Sequence, residues 1–424
     1  MKVGIYTLGC KVNAYESEFI IHELKKKNYE ISDFNGVCDI YVINTCTVTN
    51  TGDIKSRKTI RSARRRNNKA IIIAMGCYIE SNKENLPEEI DIIIGNKDKS
   101  KIISIIEEYM ENQNKLTILY SDFDKEFEDM FIENYENRTR AFVKIQDGCE
   151  NFCNYCIIPK VRGKCRSKKE ETVIEEITTL VNNGYSEIVL TGIHTGNYGA
   201  DINSNFATIL KKIIEIKGLK RLRISSIEIT ELTEEVLDII KNNDVIVNHL
   251  HIPIQAASNK VLELMNRKYD IEYFINKIEE IKSIKEDISI TTDIIAGHPG
   301  EDEETFKSSL KTIKEIGFSK LHVFPYSIRK GTKSATMKQI PDNTKKEHAK
   351  SLLELSKELE TNYMTKFLNR EMEVLIETTK DNWSYGHTSN YLQIKINKLV
   401  PSGTYIKITI KNIEYPYCIG NINT

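Results

Sequence analysis

Cys149, Cys153 and Cys156 lie in the stretch Lys144-Ile-Gln-Asp-Gly-Cys-Glu-Asn-Phe-Cys-Asn-Tyr-Cys-Ile-Ile-Pro159 as a C-x3-C-x2-C triplet. Three sulfurs this close in sequence share one loop, so the fold has to present that loop. Structural zinc takes four protein ligands, and neither a histidine nor a fourth cysteine stands near enough to close the tetrahedron. A four-iron cluster on three thiolates leaves one iron open to a small chelating molecule. The alternative is that the three are buried and act as small hydrophobes. That sits poorly with the polar and aromatic residues between them, and with Asp147-Gly148 ahead and Pro159 behind, which mark a loop wrapped around something.

At 424 residues, 40% hydrophobic and 29% charged, the chain is long enough for two or three domains, each with its own core. A formal net charge of -1 provides no global attraction to nucleic acid, so any such binding must come from local patches. Nine cysteines without the dense even spacing of a secreted scaffold favour metal or catalysis over disulfides. The N-terminus lacks a signal-peptide apolar run and no segment is long enough to span a bilayer, so the expected location is cytoplasmic, with no membrane partner.

The expected fold class is α/β, in three pieces: an N-terminal open parallel sheet over residues 1–130, a central partial (β/α)6 barrel with its linker helix over 138–366, and a small C-terminal β-barrel over 367–424. In the first, strands are expected at Lys2 to Thr7, Asp39 to Asn44, Ala70 to Ala74 and Ile90 to Ile94, with helices at Glu16 to Lys27 and Ile54 to Asn67. Cys10, Cys46 and Cys77 each fall just past the carboxyl end of one of the first three strands, where open α/β sheets gather their ligand sites. They form a candidate second three-cysteine metal site, although their spacing alone matches no zinc-finger or ferredoxin pattern. Cys38 precedes its strand, belongs at the opposite edge and reads as packing.

Barrel strands are expected at Ala141 to Ile145, Glu187 to Thr191, Arg221 to Ser225, His249 to Ile252, Ile288 to Ile295 and Lys320 to Phe324. Chemistry in such barrels sits on the loops that follow the strands. There Thr191, Gly192, Ser225, Glu228, Gln255 and Asp293 are candidate cofactor-binding residues. Gly192 would allow close backbone approach, and Glu228 or Gln255 could bond ribose hydroxyls. For any one of them alone, barrel packing or helix capping is the stronger explanation.

A helix from about Asn343 to Leu368 links the barrel to a tail of about five short strands, a form that often grips nucleic acid and equally serves stability or dimerisation. Tyr385, Tyr391, Trp383, Lys395 and Lys398 offer it aromatic faces and charge. A second basic feature is Lys55-Ser-Arg-Lys-Thr-Ile-Arg-Ser-Ala-Arg-Arg-Arg66, which puts Arg57, Arg61, Arg64 and Arg65 on one helical stripe beside the expected cysteine edge. No acidic residue falls within Lys55 to Arg66 to neutralise the stripe, as a phosphate-binding face would require.

The triplet resembles the motif of the radical S-adenosylmethionine superfamily. Leu8-Gly-Cys-Lys-Val-Asn13, Asn44-Thr-Cys46, Gly76-Cys77, Arg162-Gly163 and His249-Leu-His-Ile-Pro-Ile-Gln255 together resemble its methylthiotransferases over essentially the whole chain. Leu264-Met-Asn-Arg-Lys-Tyr269, Phe324-Pro-Tyr-Ser327, Arg329-Lys-Gly-Thr332 and Gly386-His-Thr-Ser-Asn-Tyr391 resemble the branch acting on N6-threonylcarbamoyladenosine beside the tRNA anticodon. His298 stands where the family usually has an aromatic, and Lys160-Val161 replaces a tyrosine-containing pair.

The resemblance implies two [4Fe-4S] clusters, S-adenosylmethionine, a TRAM-like RNA-binding tail and a tRNA substrate. It also implies radical insertion of a methylthio group at C2, with Cys149, Cys153 and Cys156 holding the radical-generating cluster and Cys10, Cys46 and Cys77 the sulfur-delivering one. Cys165 and Cys418 have no part in that scheme. Relatives acting on isopentenyladenosine tRNA or on a ribosomal protein aspartate are the neighbouring alternatives, and an iron–sulfur RNA-binding protein without turnover is a more distant one. The reductant and sulfur donor are not legible; a monomer or weak dimer is expected.

Overall fold

The computed structural model describes residues 1–112, 116–118, 126–135 and 138–422. The strands Ile40–Thr45, Ile71–Gly76 and Ile92–Ile94 are nearly continuous buried runs, as in a parallel sheet covered on both faces. β1 (Lys2–Thr7), β2 (Glu30–Ser32), β3 (Ile40–Thr45), β4 (Ile71–Gly76), β5 (Ile92–Ile94) and β6 (Leu116–Ile118) form one parallel sheet in the order β2-β1-β3-β4-β5-β6. Every residue of β3 is buried. The strands bearing the three cysteines at their ends, β1, β3 and β4, are immediate neighbours.

α1 (Lys11–Lys26) starts directly after Cys10 and α2 (Asn50–Arg66) follows the Thr49 cap, whose side chain accepts from the Gly52 N–H. Both helices begin four or five residues before their apolar spacing becomes visible in the sequence. α3 (Cys77–Ser81) begins at the cysteine itself, after Gly76 at φ 97°. α1 buries Val12, Tyr15, Phe19, Ile20 and Leu24, each contributing about 1.5–3 kcal/mol. α4 (Ile102–Asn112) covers the sheet with Ile102, Ile105 and Ile106.

The central piece has six parallel strands: β7 (Arg140–Lys144), β10 (Glu187–Thr191), β11 (Arg221–Ile224), β12 (His249–His251), β13 (Ser289–Ala296) and β14 (Lys320–Pro325). They run in two three-stranded groups, β11-β10-β7 and β12-β13-β14, joined by bridges Leu222↔Ile246 and Ser226↔His251 into an open arc. Two short strands, β8 (Gln146–Asp147) and β9 (Arg166–Ser167), pair antiparallel and clamp the stem of the cysteine loop. α5 (Ile158–Arg162) lies within it. α6 (Asp342–Thr365) leads to the tail. There β15 (Glu371–Lys380), β16 (Trp383–Thr388), β17 (Gln393–Ile396), β18 (Tyr405–Glu414) and β19 (Tyr417–Ile422) close a barrel in the order β15-β16-β17-β19-β18, around Val374, Ile376, Ile394, Ile408 and Ile410. Among the described residues no helix is long and apolar enough to cross a membrane.

Candidate functional site

A cavity of about 330 Å³ opens at the carboxyl ends of the barrel strands, within the range of small-molecule sites. Cys149, Cys153 and Cys156 line it, together with Glu228, Gln255 and Asp293. Val48 and Thr49, from the loop after Cys46, reach into the same wall. Gln255 holds φ 63°, an outlier of the kind that concentrates at binding sites.

Three of the expected cofactor residues do not reach the cavity. Thr191 ends β10 with its side chain buried, and the wall is made two residues later by Ile193. Gly192 makes room for protein instead, since a Cβ there would meet Gln146 Oε1 at 3.1 Å. Ser225 is buried against Thr195 Oγ1 at 3.2 Å, and Ser226 takes its place in the wall.

Several contributors were not identified from the sequence. Arg267 donates to Cys153 Sγ at 3.5 Å and forms an ion pair with Glu228, so it neutralises charge at the loop and fixes a cavity carboxylate together. His194 packs behind the loop, ion-paired with Glu231. Cys165 is buried beside it, its sulfur accepting from Asn197 Nδ2 at 3.0 Å, so it supports the loop although it lies off the cavity. His298 packs edge-on to Tyr155 and Tyr326 and bonds Ser334. Burial pushes its pKa down to about 4, so it serves as a neutral ring where the family's aromatic stands.

At the sheet edge the structure brings Cys10, Cys46 and Cys77 together. Gly9 lies so close to Cys46 that a Cβ would meet its Sγ at 3.0 Å. Burial pushes the Cys46 thiol up to about 11, with Cys77 and Cys10 adding to the shift. In the other set burial pushes Cys156 up to about 12, with Cys153 and Cys149 adding. Cys10 and Cys46 in one set and Cys153 and Cys156 in the other therefore ionise at a cost that a bound cation removes, which is the donor chemistry an iron–sulfur cluster needs. Among the described residues no three such side chains converge on a point as ligands of a single ion would. A cluster instead spreads its thiolates over separate iron corners.

The two sets face each other across a packed seam. Cys77 packs against Ile157 and Val161 of the cysteine loop. Arg162 is fully buried between them, bonding Glu16 and Asp147 at 3.0 Å each and Asn13 at 2.7 Å. Asn13 in turn donates to Leu8 O and Thr45 O, bracing the turns that carry Cys10 and Cys46. Against the cost of burial, Arg162 and Lys144 hold the Asp147 carboxyl well below the usual range. On the far side Arg329 bonds Thr47 O and Asp53, tying the loop after β14 to the Cys46 loop.

The expected RNA contacts divide. α2 runs away from the cysteine edge over 17 residues, about 25 Å at 1.5 Å per residue, so Arg64 and Arg65 lie at the opposite end of the sheet. Arg64 is a packing residue, bonding Asp91 and the carbonyls of Ala70 and Glu89, and Arg61 pairs with Glu89 at 3.4 Å. The missing acids come from another element, which helical spacing cannot show. Arg57 stays near the edge, over the Tyr78 ring. Tyr391 is packed against both His249 and His387, with the Arg223 guanidinium 4.6 Å from its ring, so it fastens the tail to the barrel and is not free to stack bases. Tyr385 and Lys395 pair across strands on the outer face, Lys395 over Trp383 and Tyr385 against Tyr417.

A Radical SAM superfamily model matches residues 143–313, and that of Uncharacterized protein family UPF0004 matches residues 2–95. The chain is 42% identical over 99% of its length to a threonylcarbamoyladenosine tRNA methylthiotransferase, MtaB, of Bacillus subtilis, covering 95% of that protein. It is 33% identical over 89% of its length to a tRNA-2-methylthio-N(6)-dimethylallyladenosine synthase of Clostridium botulinum, covering 86% of it. In fold it is similar to the radical S-adenosylmethionine methyltransferase TsrM of Kitasatospora setae, with a TM-score of 0.58 at 14% identity over 79% of this chain and 77% of that one.

Proposed function

The chain belongs to the radical S-adenosylmethionine methylthiotransferases, and from that premise we propose that it inserts a methylthio group at C2 of N6-threonylcarbamoyladenosine beside a tRNA anticodon, using two [4Fe-4S] clusters. The observation that carries this reading is the single cavity walled by both the Cys149–Cys156 loop and the loop after Cys46. A cluster held by the first loop would supply radical chemistry and one held beside the second would supply sulfur to a substrate in that cavity. C2 of an adenine has no proton that an ordinary base removes, so hydrogen-atom abstraction is the sensible route.

Cys149, Cys153 and Cys156 would hold a cluster that supplies one-electron reduction to bound S-adenosylmethionine. Glu228, Gln255 and Asp293 supply acceptors for that cofactor's ribose and ammonium groups, while Arg267 orients Glu228. Cys10, Cys46 and Cys77 would hold the second cluster with an iron free for exogenous sulfur. The base itself must leave its stack to reach the cavity. Phe324, 43% exposed and on the cavity wall, is the side chain available to receive it. The outer aromatic face of the tail, Trp383 and Tyr385 with Lys395, is placed to hold RNA backbone and bases.

Two measurements test the reading. Nucleoside mass spectrometry of tRNA from a deletion strain should show unthiolated threonylcarbamoyladenosine accumulating and its methylthio form absent; an unchanged pool overturns the substrate. Phe324→Ala should raise the KM for tRNA about 5- to 150-fold, as loss of one base stack at about 1–3 kcal/mol requires. In the same variant, S-adenosylmethionine cleavage without tRNA should be retained.

A further inference from the structure

The loop after β14, residues 327–334, is bonded to both cysteine-bearing loops. At its start Ser327 Oγ accepts from the Asn50 N–H at 2.8 Å. Arg329, buried, then bonds through every nitrogen of its guanidinium: Nε to Ile328 O at 2.9 Å, Nη1 to Thr47 O at 2.9 Å and Asp53 Oδ2 at 2.8 Å, Nη2 to Ser327 Oγ at 3.3 Å. The other Asp53 oxygen accepts from Thr47 Oγ1 at 2.6 Å. Thr47 Oγ1 in turn lies 3.0 Å from Ser81 Oγ, at the end of the helix that Cys77 begins. At the far end of the loop the Gly331 carbonyl accepts from Lys160 of α5, and the Ser334 N–H donates to Asn154 O at 2.9 Å, inside the C-x3-C-x2-C loop. Between the two ends the Thr332 hydroxyl and N–H both donate to Arg329 O, at 2.8 and 3.1 Å, and tie the segment into one turn.

The structure assigns Arg329 as a positioning residue that fixes the Cys46 loop relative to the C-x3-C-x2-C loop, so that a substrate in the cavity lies within reach of both cysteine sets at once. This deepens the function proposed above and rests on its two cluster sites. Arg162 braces the turns of Cys10 and Cys46 from inside the seam, through Asn13. The segment beyond Cys46 is bonded to the barrel by Arg329 and Ser327, and that segment supplies Val48 and Thr49 to the cavity wall opposite Phe324 and Ser327. The planar fork of a guanidinium spans acceptors on two loops in one fixed geometry, whereas a lysine could pair with Asp53 but could not hold the others in place. Slack here would leave each cysteine set intact and change only the distance between them.

The test is Arg329→Ala in the reconstituted full chain, supplied with an anticodon stem-loop carrying N6-threonylcarbamoyladenosine. Iron should stay at about eight per chain. Formation of 5′-deoxyadenosine should stay within about twofold of wild type while thiolated product per 5′-deoxyadenosine falls about 10- to 100-fold, the scale of a displacement of about 1 Å. Hydrogen exchange of the amides from Val48 to Asp53 should quicken about 10- to 100-fold, as loss of bonds to a charged group requires, with the amides from Cys149 to Cys156 unchanged. Asp53→Asn should move both readouts the same way by a smaller factor, and it carries the comparison if Arg329→Ala fails to fold. Arg64→Leu removes an anchor at the far end of the same helix and should leave the product ratio unchanged. Product and 5′-deoxyadenosine falling by one common factor would mean that Arg329 only supports the fold, and overturns the assignment. So does an unchanged ratio, or a selective loss of sheet-edge iron, which would make Arg329 a requirement for loading. A wild type that holds about four irons overturns the two-cluster reading and the assignment with it.

Discussion

Replacing Cys10, Cys46 and Cys77 together by alanine is expected to leave an enzyme that still cleaves S-adenosylmethionine on reduction but forms no thiolated product. Its iron content after anaerobic reconstitution should fall from about eight to about four per chain, the difference being one four-iron cluster. The argument is geometric. The three residues end adjacent strands of one sheet, and the loop with Cys149, Cys153 and Cys156 is carried by a separate antiparallel stem, β8 with β9. Removing one set takes no backbone support from the other, although Cys77 gives up its packing on Ile157 and Val161. Loss of all iron in the variant would mean that the sets do not load independently. Full iron would mean that the sheet edge holds none. The converse change at Cys149, Cys153 and Cys156 should abolish 5′-deoxyadenosine formation while leaving about four irons.

What the sequence makes legible here follows the range of each interaction. The Cys149–Cys156 triplet is a local spacing. The sheet-edge cysteines could be recognised because each ends an apolar run whose direction in a parallel sheet is fixed by topology. The helix starts at Lys11 and Asn50 were not visible because they are set by backbone geometry at Cys10 and by the Thr49 cap, ahead of any apolar period. Side chains whose partners are far along the chain left no signal. Arg64 reads as one more charge on a basic stripe until β5 brings up Asp91, and Tyr391 as a free aromatic until the barrel presents His249. Thr191 and Ser225 were placed one or two residues too early, since the last side chains of a barrel strand pack inward and the loop beyond builds the wall.

Arg162 is the clearest case of an illegible residue with a large effect, and Arg162→Leu should destabilise the protein by about 3–5 kcal/mol, the cost of leaving buried charge without its partner. Glu16 and Asp147 would then share only Lys99, Lys144 and the more distant Arg166, 3.9 Å from Asp147, at a site with almost no solvent. The pH dependence gives the signature. Burial alone would raise both carboxyl pKa values, but Arg162 and the two lysines hold Glu16 and Asp147 below the unfolded carboxylate range. Their stabilisation is therefore present above about pH 4 and is lost as pH falls through the depressed folded values. The gap in denaturation midpoint between wild type and variant should accordingly be widest near neutrality and narrow in acid; a gap that stays constant with pH would assign the loss to packing. Because Arg162 also holds Asn13, which braces the turns of Cys10 and Cys46, the variant should load iron poorly at the sheet edge while the C-x3-C-x2-C loop still fills. A stability loss that leaves both sites fully loaded would show that Arg162 fastens the two domains without shaping the cysteine edge.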